Sequence, residues 1–419
     1  MFGINGTALR ALAPWVVSAV FLLLLPMIFT SGSALTIMNQ MAITIVFALS
    51  YNMLLGQGGM LSFGHAAFMG LGGFFSMHVM NLVADDGLYL PLPFLPLFGG
   101  LFGLIFAILI GSFSTRRAGT VFAMISLGVG ELVAACSIII VAFFGGEEGV
   151  SGDRTMGPTF FGFDFGHQLQ VYYLTAVWLV ISAAAMFLYT RTPIGRMANA
   201  VRDNEERAEF VGYSQRYVRF ITFCWSGFFA GIAGALFAIN FEILTEENLN
   251  LVTSGTILLV AFLGGVGYFI GPIIGSVIFT LLQTVLSLYT EIWQLYLGAL
   301  FLLCVMYFPT GLAGLLAMHH RAYSLGKLKV LVVPYLKMFV LGGVTLLGIA
   351  AVLEIGYHAR SAAEGEEMMT LYWMHFNSHG VLPWVLSVGV AVGGSWLCHL
   401  LARQVKAAWE VANQIESEQ

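Results

Sequence analysis

The chain has 419 residues, of which 59% are hydrophobic and only 9% are charged, and its mean hydropathy is +0.88. Water-soluble globular proteins carry about 25% charged residues, so this composition excludes that class and indicates a protein that crosses a membrane several times. The formal net charge of −5 decides little, because the side of the membrane on which each charge lies matters more than the sum.

Twelve segments of the sequence are interpreted as membrane crossings, because a spanning helix needs about 20 mainly apolar residues. The third segment is rich in glycine and polar residues, and only Ile270-Gly271 joins the short eighth and ninth segments. The predicted fold class is therefore an all-α polytopic membrane protein with broken or re-entrant helices. The segments are residues 13–30, 34–55, 60–80, 92–113, 118–144, 171–189, 217–240, 254–269, 272–290, 293–308, 335–355 and 380–402.

The basic residues predict how these crossings are oriented. With the N-terminus in the cytoplasm, only Arg154 and Arg360 of the 17 Lys and Arg residues fall on the outer side. Cytoplasmic loops of membrane proteins carry an excess of Lys and Arg, so this orientation is favoured strongly. Both termini and the loop of residues 190–219 are therefore predicted to be cytoplasmic, and Glu148 and Glu366 are predicted to be external.

The loop of residues 190–219 is the one long polar stretch in the sequence. Thr192 is a typical N-terminal helix cap, and Pro193 fits the first helical position, where a missing N–H breaks no intrahelical bond. Ile194, Met197, Val201, Ala208 and Val211 recur at helical spacing and predict one narrow apolar stripe. Gly212 is a helix stop signal. The sequence predicts one short amphipathic helix over residues 193–211, in a loop that holds six basic residues: Arg191, Arg196, Arg202, Arg207, Arg216 and Arg219.

The charges of this helix permit two interpretations. Arg202 and Glu206 carry opposite charges four residues apart. Asp203 and Arg207 repeat this spacing, and each such pair is worth only about 0.2–0.5 kcal/mol on a helix surface. The helix is either a solvated connector or a docking surface for a cytoplasmic partner. In the second case, Gly195 in the first turn would let the backbone of the partner come close.

Residues 51–76 contain too many glycines and polar groups for a helix that faces lipid. Irregular backbone at membrane depth is tolerated only where protein buries it or where it lines a cavity. A second glycine-rich stretch, residues 264–272, predicts a tight turn or a broken helix. The polar side chains of the first stretch are interpreted either as packing groups between helices or as the lining of a translocation path: Asn52, Gln57, Ser62 and His65.

Glu131 is a carboxylate near the middle of the fifth predicted crossing. A charged group at this depth costs about 2.5–3.5 kcal/mol on insertion scales, so it is expected to face protein or water. It either belongs to a translocation path or gate, or bonds to a neighbouring helix.

The sequence assigns neither catalysis nor metal binding to this chain. The P-loop pattern does not occur, since Gly326-Lys327 is followed by Leu328. The four cysteines have no metal-ligand spacing, and the pair His375 and His379 has no nearby carboxylate. The chain is therefore predicted not to be an enzyme, to bind no metal and to have no nucleic-acid partner.

Three stretches together resemble the permease subunits of branched-chain amino acid ABC importers. They are N-M-L-L-G followed by L-S-F-G-H-A-A-F-M-G-L-G-G (residues 52–73), R-T-P-I-G-R-M-A-N-A-V-R-D-N-E-E-R-A-E-F-V-G-Y (191–213) and V-A-F-L-G-G-V-G-Y-F-I-G-P-I-I-G-S (260–276). The stretch F-P-T-G-L-A-G-L at residues 308–315 closes the match. The stretch at 191–213 is the most specific of these.

The resemblance implies a type II importer fold, in which two permease subunits form one pathway and two cytoplasmic ATPase subunits dock against them. It also implies a bacterial inner-membrane location, a periplasmic substrate-binding protein, and ATP and Mg²⁺ held by the ATPase subunits, with no cofactor in this chain. The helix at 193–211 would then sit in a cleft of the ATPase. Its coupling residues would be Pro193, Gly195, Arg196, Arg202, Asp203, Asn204, Glu206, Arg207 and Gly212.

Two features depart from the family pattern. The first motif often carries Gln two residues before its Ser, and this chain has Met60 there, so no substrate contact is transferred to this position. Residues 317–419 add two predicted crossings and an acidic external loop with Glu364, Glu366 and Glu367. The chain is therefore divided into a permease domain, residues 1–316, and an extension, residues 317–419, for which the sequence predicts no function.

The resemblance favours import of branched-chain or related hydrophobic amino acids. Urea and short-chain amides are alternative substrates, because permeases for them are built on similar motifs. An ion-coupled secondary transporter is a further alternative, but only Glu131 and His65 are available as titratable coupling groups in the crossings. A membrane scaffold without transport leaves the broken, glycine-rich segments unexplained.

Overall fold

The computed structural model of the chain describes residues 6–85, 87–308, 310–324, 327–361 and 368–413, which are mostly helical. The acidic residues Glu364, Glu366 and Glu367 lie outside the described residues. The helices are α1 (Gly6–Ile28), α2 (Gly32–Asn52), α3 (Ala66–Asp85), α4 (Leu95–Ser114), α5 (Gly119–Ile139), α6 (Val141–Phe144), α7 (Gln168–Arg191), α8 (Pro193–Asp203), α9 (Glu205–Phe210), α10 (Gln215–Phe241), α11 (Leu251–Gly264), α12 (Gly271–Tyr289), α13 (Trp293–Tyr307), α14 (Gly311–Ser324), α15 (Leu328–Ser361) and α16 (Val381–Asn413).

Two short antiparallel strand pairs complete the described part of the chain. The first pairs β1 (Val150–Ser151) with β2 (Ile243–Leu244), and the second pairs β3 (Met368–Leu371) with β4 (Met374–Asn377). These strands are too short to form a core of their own. The fold is therefore all-α, as the sequence predicts.

Ten helices of the described residues are long and apolar enough to cross a membrane, or eleven if the bent pair α13 and α14 counts as one span. A shorter apolar helix covers Ala13–Ile28. Each of the twelve predicted crossings overlaps a helix, but the fifth is divided between α5 and α6, and the helix at the last one, α16, continues to Asn413, well beyond the predicted end at residue 402. The predicted fold class, an all-α polytopic membrane protein, is confirmed.

Packing divides the chain into two compact units. The first comprises Met1–Val285 and Leu297–Gly314, and the second comprises Leu286–Tyr296 and Leu315–Gln419. The predicted domain boundary between residues 316 and 317 stays a prediction. Packing places the short segment Leu286–Tyr296 with the second unit, although it precedes that boundary in sequence.

Helix α10 lies at the centre of the first unit and packs against α2, α3 and α4. Its glycines make these contacts close: a β-carbon on Gly231 would overlap the carbonyl oxygen of Gly99 in α4. A β-carbon on Gly234 would likewise overlap the carbonyl oxygen of Met69 in α3. Small residues are common at such interfaces in membranes, where helix association depends on van der Waals contact.

In the second unit, α15 and α16 pack along each other over most of their length. Gly394 lies against Thr345, whereas Gly348 lies against Val390 and Ala391, so the two helices run antiparallel. Glu354 of α15 accepts a hydrogen bond of 2.9 Å from the hydroxyl of Tyr296, which ties the first turn of α13 to this pair.

The two glycine-rich stretches are interrupted helices, as predicted. A π-helical turn, Met53–Gln57, continues α2, and the chain is then non-helical until α3 begins at Ala66. We call this interruption, residues 58–65 together with Ala66, the first residue of α3, the break. In the second stretch, α11 ends at Gly264, Gly265 adopts φ +112°, and α12 begins at Gly271. Glycine is required at Gly265 because few other residues adopt that backbone conformation.

Candidate functional site

The loop between α7 and α10 begins with the predicted helix cap. The Thr192 hydroxyl accepts a hydrogen bond of 3.1 Å from the backbone N–H of Gly195, and Pro193 is the first residue of α8. Gly195 itself is buried, and a β-carbon there would overlap the carbonyl oxygen of Tyr189 at the end of α7. The close approach predicted for a partner's backbone is thus made by the chain's own backbone.

The prediction of a single helix over residues 193–211 is wrong, because the helix is interrupted at Asn204. This residue is extended, with φ −160° and ψ 108°, and its side chain accepts a hydrogen bond of 3.0 Å from the backbone N–H of Arg207. Asn204 therefore caps a second helix, α9, whose first turn contains Glu205 and Glu206. Both features are favourable at a helix N-terminus.

The interruption also removes the predicted charge pairs. Arg202 bonds instead to its neighbour Asp203, with a distance of 2.9 Å between a guanidinium nitrogen and the carboxylate. A second ion pair among the described residues of this loop joins Glu205 to Arg219. The Arg219 side chain is only 6% exposed. This second pair fastens the start of α9 to the start of α10.

One face of α8 and α9 is buried against α10. Ala198, Val201, Ala208 and Val218 form a small apolar cluster, and Met197 and Tyr213 pack against it. The predicted apolar stripe is correct for Met197, Val201 and Ala208. It is wrong for Val211, which is 69% exposed because α9 ends one residue earlier and the chain turns at Gly212, with φ +90°.

The opposite face of the loop is exposed, and we call it the outer face. It combines charged and polar side chains with two apolar ones, and Phe210 is the most exposed of them at 90%. An exposed aromatic side chain beside charges is typical of a protein contact. Phe210 is not among the residues predicted for this surface, although an aromatic residue two positions before the stop signal Gly212 could have indicated it. The outer face consists of Arg196, Asp203, Asn204, Glu206, Arg207, Phe210 and Val211.

Two side chains of α8 point the other way and bond to the π-helical turn that continues α2. The side-chain amide of Asn199 donates a hydrogen bond of 2.6 Å to the side-chain oxygen of Gln57. The guanidinium of Arg202 donates a hydrogen bond to the carbonyl oxygen of Gly56. We call these two contacts the joint. Gln57, predicted as a residue of the translocation path, thus lies where α8 meets the π-helical turn.

The other polar side chains of the first glycine-rich stretch are buried within the bundle. Asn52, Ser62 and His65 are each at most 2% exposed. The Nε2 atom of His65 lies 3.0 Å from the hydroxyl oxygen of Ser50. The hydroxyl of Tyr51 donates a hydrogen bond of 3.0 Å to the carbonyl oxygen of Ser62. Their proposed role in translocation stays a prediction.

Hydroxyl groups from two other helices satisfy backbone groups of the break. Ser126 of α5 accepts a bond of 3.1 Å from the N–H of Phe63, and Ser254 of α11 accepts one of 3.0 Å from the N–H of Ala66. The break is therefore bonded to α5 and α11 as well as to α2. This arrangement fulfils the requirement that irregular backbone at membrane depth be buried in protein.

Glu131 lies on α5, next to the point where that helix meets the break. The preceding residue, Gly130, packs directly against Gly64, whereas the Glu131 side chain is exposed on the surface of the chain. The alternative in which Glu131 bonds to a neighbouring helix of this chain receives no support from its exposure. An exposed carboxylate in the middle of a span is expected to face another protein subunit or water.

Arg154, whose side chain is only 10% exposed, holds the segment before α7, which is predicted to be external. Beside it, the hydroxyl and the backbone N–H of Thr155 bond to Asp153 and hold the pKa of that carboxyl below its usual range.

Nothing in the described residues groups three His, Cys, Asp or Glu side chains in a way that could hold a metal ion.

The fold and the site define a class of protein, a polytopic helical permease with a two-helix loop bonded to an interrupted span. The chain belongs to the family of branched-chain amino acid transport system permease components, whose model matches residues 33–308. The predicted resemblance is confirmed. The chain is accordingly a multi-pass inner-membrane protein and a permease component, not an enzyme.

Three curated relatives illustrate the range of similarity. The high-affinity branched-chain amino acid transport system permease protein LivM of Escherichia coli strain K12 is 26% identical over 293 residues, which are 64% of this chain and 67% of LivM. LivM of Salmonella typhimurium strain LT2 is 26% identical over 305 residues, 67% of this chain and 70% of that protein. The autoinducer 2 import system permease protein LsrC of Klebsiella pneumoniae is 31% identical over 154 residues, 35% of this chain and 45% of LsrC. No solved structure matches the chain significantly.

Proposed function

We propose that this chain is one of two permease subunits of an ATP-driven importer, and that it passes branched-chain or related hydrophobic amino acids from a periplasmic binding protein to the cytoplasm. The family and the LivM relatives, which are permease proteins of high-affinity branched-chain amino acid transport systems, support this substrate class. The observation that carries the proposal is the loop of α8 and α9, because it presents an exposed outer face on one side and bonds to an interrupted span on the other.

The outer face is the docking surface for an ATPase subunit that binds ATP and Mg²⁺. Phe210 supplies an exposed aromatic group at the end of α9, and Arg196 of α8 and Arg207 of α9 supply exposed positive charges. Aromatic residues and Arg dominate the binding energy of many protein interfaces, so these three side chains are expected to carry most of the docking. Glu131 is proposed to line the translocation path where the second permease subunit meets α5.

Charge reversal on the outer face tests the docking. Arg207→Glu is expected to leave the permease folded in the membrane, because the side chain is exposed and only its backbone N–H serves the Asn204 cap. An unpaired charge at an interface costs about 2–5 kcal/mol, which lowers partner occupancy tenfold or more. Co-purification of the ATPase and ATP-dependent uptake of radiolabelled leucine in proteoliposomes measure the effect.

The matched control is Lys329→Glu, since Lys329 is also exposed and predicted to be cytoplasmic but lies in the second unit. Normal ATPase binding by Arg207→Glu would contradict docking at this surface. Replacing leucine by urea, by a short-chain amide or by autoinducer 2 in the same assay distinguishes the substrate classes. Uptake that persists without the ATPase but depends on an ion gradient would indicate a secondary transporter.

The orientation predicted from the basic residues is part of the proposal. In a variant without native cysteines, Glu148→Cys is expected to react from outside with a membrane-impermeant maleimide. Glu206→Cys is expected to react only after the membrane is opened. Both side chains are exposed in the chain alone, so in a permease expressed without the ATPase subunits, which would cover position 206, access to the reagent depends on the side of the membrane. Labelling of position 206 in intact cells without labelling of position 148 would reverse the orientation.

A further inference from the structure

The joint has the geometry of a rigid link between α8 and the interrupted span. The bond of 2.6 Å between Asn199 and Gln57 connects residues 142 positions apart in sequence. Arg202 adds a charge-assisted bond to the carbonyl of Gly56, which lies in the last turn of the helix that runs through α2. Carbonyls in a last turn have no partner within the helix, so Arg202 satisfies a group that is otherwise unbonded.

The backbone of the π-helical turn and the break is shaped to receive Arg202. Gly59 adopts φ +65°, and a β-carbon there would lie 3.2 Å from the β-carbon of Arg202. Gly56 is enclosed as well, because a β-carbon on it would overlap the side chain of Asn52 and the carbonyl of Val266. Glycine at position 59 lets α8 approach the backbone of the break directly, whereas glycine at position 56 lets the π-helical turn approach the backbone of Val266.

The same contacts argue against a docking role for Asn199 and Arg202. Asn199 is partly buried, and its amide bonds to Gln57. The Arg202 guanidinium already bonds to Gly56 and to Asp203, although part of the side chain is exposed. These donors are engaged within the chain before any partner arrives. Arg196, Glu206 and Arg207 of the outer face are exposed instead.

A displacement of α8 would therefore reach the break through the joint and continue into the bundle. The break is bonded to α5 through Ser126 and to α11 through Ser254. The turn that receives α8 is π-helical, a form that is rare and often found at functional sites. One short path thus leads from the exposed loop to three helices of the first unit.

We propose that Gln57, Asn199 and Arg202 are positioning residues that transmit movement of the α8–α9 loop to the interrupted span, and that they do not contact the ATPase. This inference rests on the proposed function, because it concerns how a docked ATPase drives transport. It assigns Gln57 to transmission instead of substrate contact. It also separates two roles within the loop, docking by the outer face and transmission by the joint.

The test uses the complete importer, with permeases, ATPases and binding protein, in proteoliposomes. Asn199→Ala and Gln57→Ala each remove one partner of the same bond. Each is expected to keep ATPase co-purification at the wild-type level and to lower leucine uptake per ATP hydrolysed about tenfold. The double variant is expected to be no worse than either single variant, because the bond is lost once.

Two further variants separate transmission from a merely structural role. The exchange Gln57→Asn with Asn199→Gln keeps both amides and their combined length, and it is expected to restore most of the coupling. Gln215→Ala is the matched control, because Gln215 bonds to Glu209 at 2.8 Å within the loop and does not reach the break. Its uptake per ATP is expected to be unchanged.

The outcomes distinguish this inference from the proposed function. Wild-type coupling in Asn199→Ala, or additive losses in the double variant, would overturn the transmission role and leave docking intact. Loss of ATPase binding in Asn199→Ala would overturn it too, since the residue would then belong to the docking surface. If the unmodified chain neither binds the ATPase nor supports uptake, the proposed function itself fails.

Discussion

Alanine in place of Gly234 is expected to lower the free energy of unfolding of the permease by about 3 kcal/mol, the upper end of the usual range for overpacked sites. A β-carbon on this residue of α10 would overlap the carbonyl oxygen of Met69 and lie 2.8 Å from the backbone nitrogen of Gly73, both in α3. Backbone atoms cannot rotate away as a side chain can. Helices α3 and α10 must therefore separate, and the dense packing around them resists this change.

The measurement is reversible unfolding in mixed detergent micelles, with transport as a second readout. Gly255→Ala is the matched control, because this glycine of α11 is also helical and has no atom within 4 Å of the added β-carbon. The control is expected to be neutral or slightly stabilising, since alanine is the better helix former. Equal stability of Gly234→Ala and the control would show that α3 and α10 adjust freely.

The glycines of α10 show what the sequence could not predict. The clustered glycines at residues 51–76 and 264–272 predicted interruptions correctly, because several together disfavour a continuous helix and occur beside polar groups. Gly227, Gly231 and Gly234 occur singly in an apolar segment of ordinary appearance. Their importance arises from the helices that face them, and the identity of those helices depends on the tertiary fold.

The loop at residues 190–219 illustrates the opposite case. Its helix start at Thr192 and Pro193 could be predicted from local rules, and the structure confirms it. The interruption at Asn204 was also local, since Asn followed by two Glu is a typical helix start. The apolar stripe of this loop continues past Asn204 and favours one long helix, whereas the structure has two.

The direction in which each loop side chain points could not be predicted. Arg202 and Arg207 look equivalent in the sequence, yet Arg202 bonds to Gly56 across the chain whereas Arg207 lies on the outer face. Gln57 appeared to be a polar residue inside a span until Asn199 was found beside it. Contacts between residues far apart in sequence leave no local pattern that a single sequence reveals.

Arg154 is a further case of a long-range contact, and it was notable in the sequence only as one of two external basic residues. Its guanidinium donates a bond of 2.9 Å to the carbonyl of Phe165 and one of 3.2 Å to the Gln168 side chain at the start of α7. It also reaches the carbonyls of Ile239 and Asn240, at 3.1 and 3.3 Å. Those two carbonyls belong to the last turn of α10, where a positive charge is favourable.

Arg154→Ala is expected to lower the free energy of unfolding by about 3 kcal/mol or more, because several buried acceptors lose a charged donor at once. Arg154→Lys is expected to retain only part of this stability, since an ammonium group cannot reproduce the planar fork of a guanidinium. Unfolding in mixed micelles measures both variants. Arg116→Ala is the control, because Arg116 also donates a hydrogen bond to a helix carbonyl, that of Ser112, at 2.9 Å. Arg116 is exposed, so its replacement is expected to lower the free energy of unfolding by less than about 1 kcal/mol. Equal losses for Arg154→Ala and Arg116→Ala would show that water replaces the Arg154 bonds, and that the segment before α7 does not depend on them.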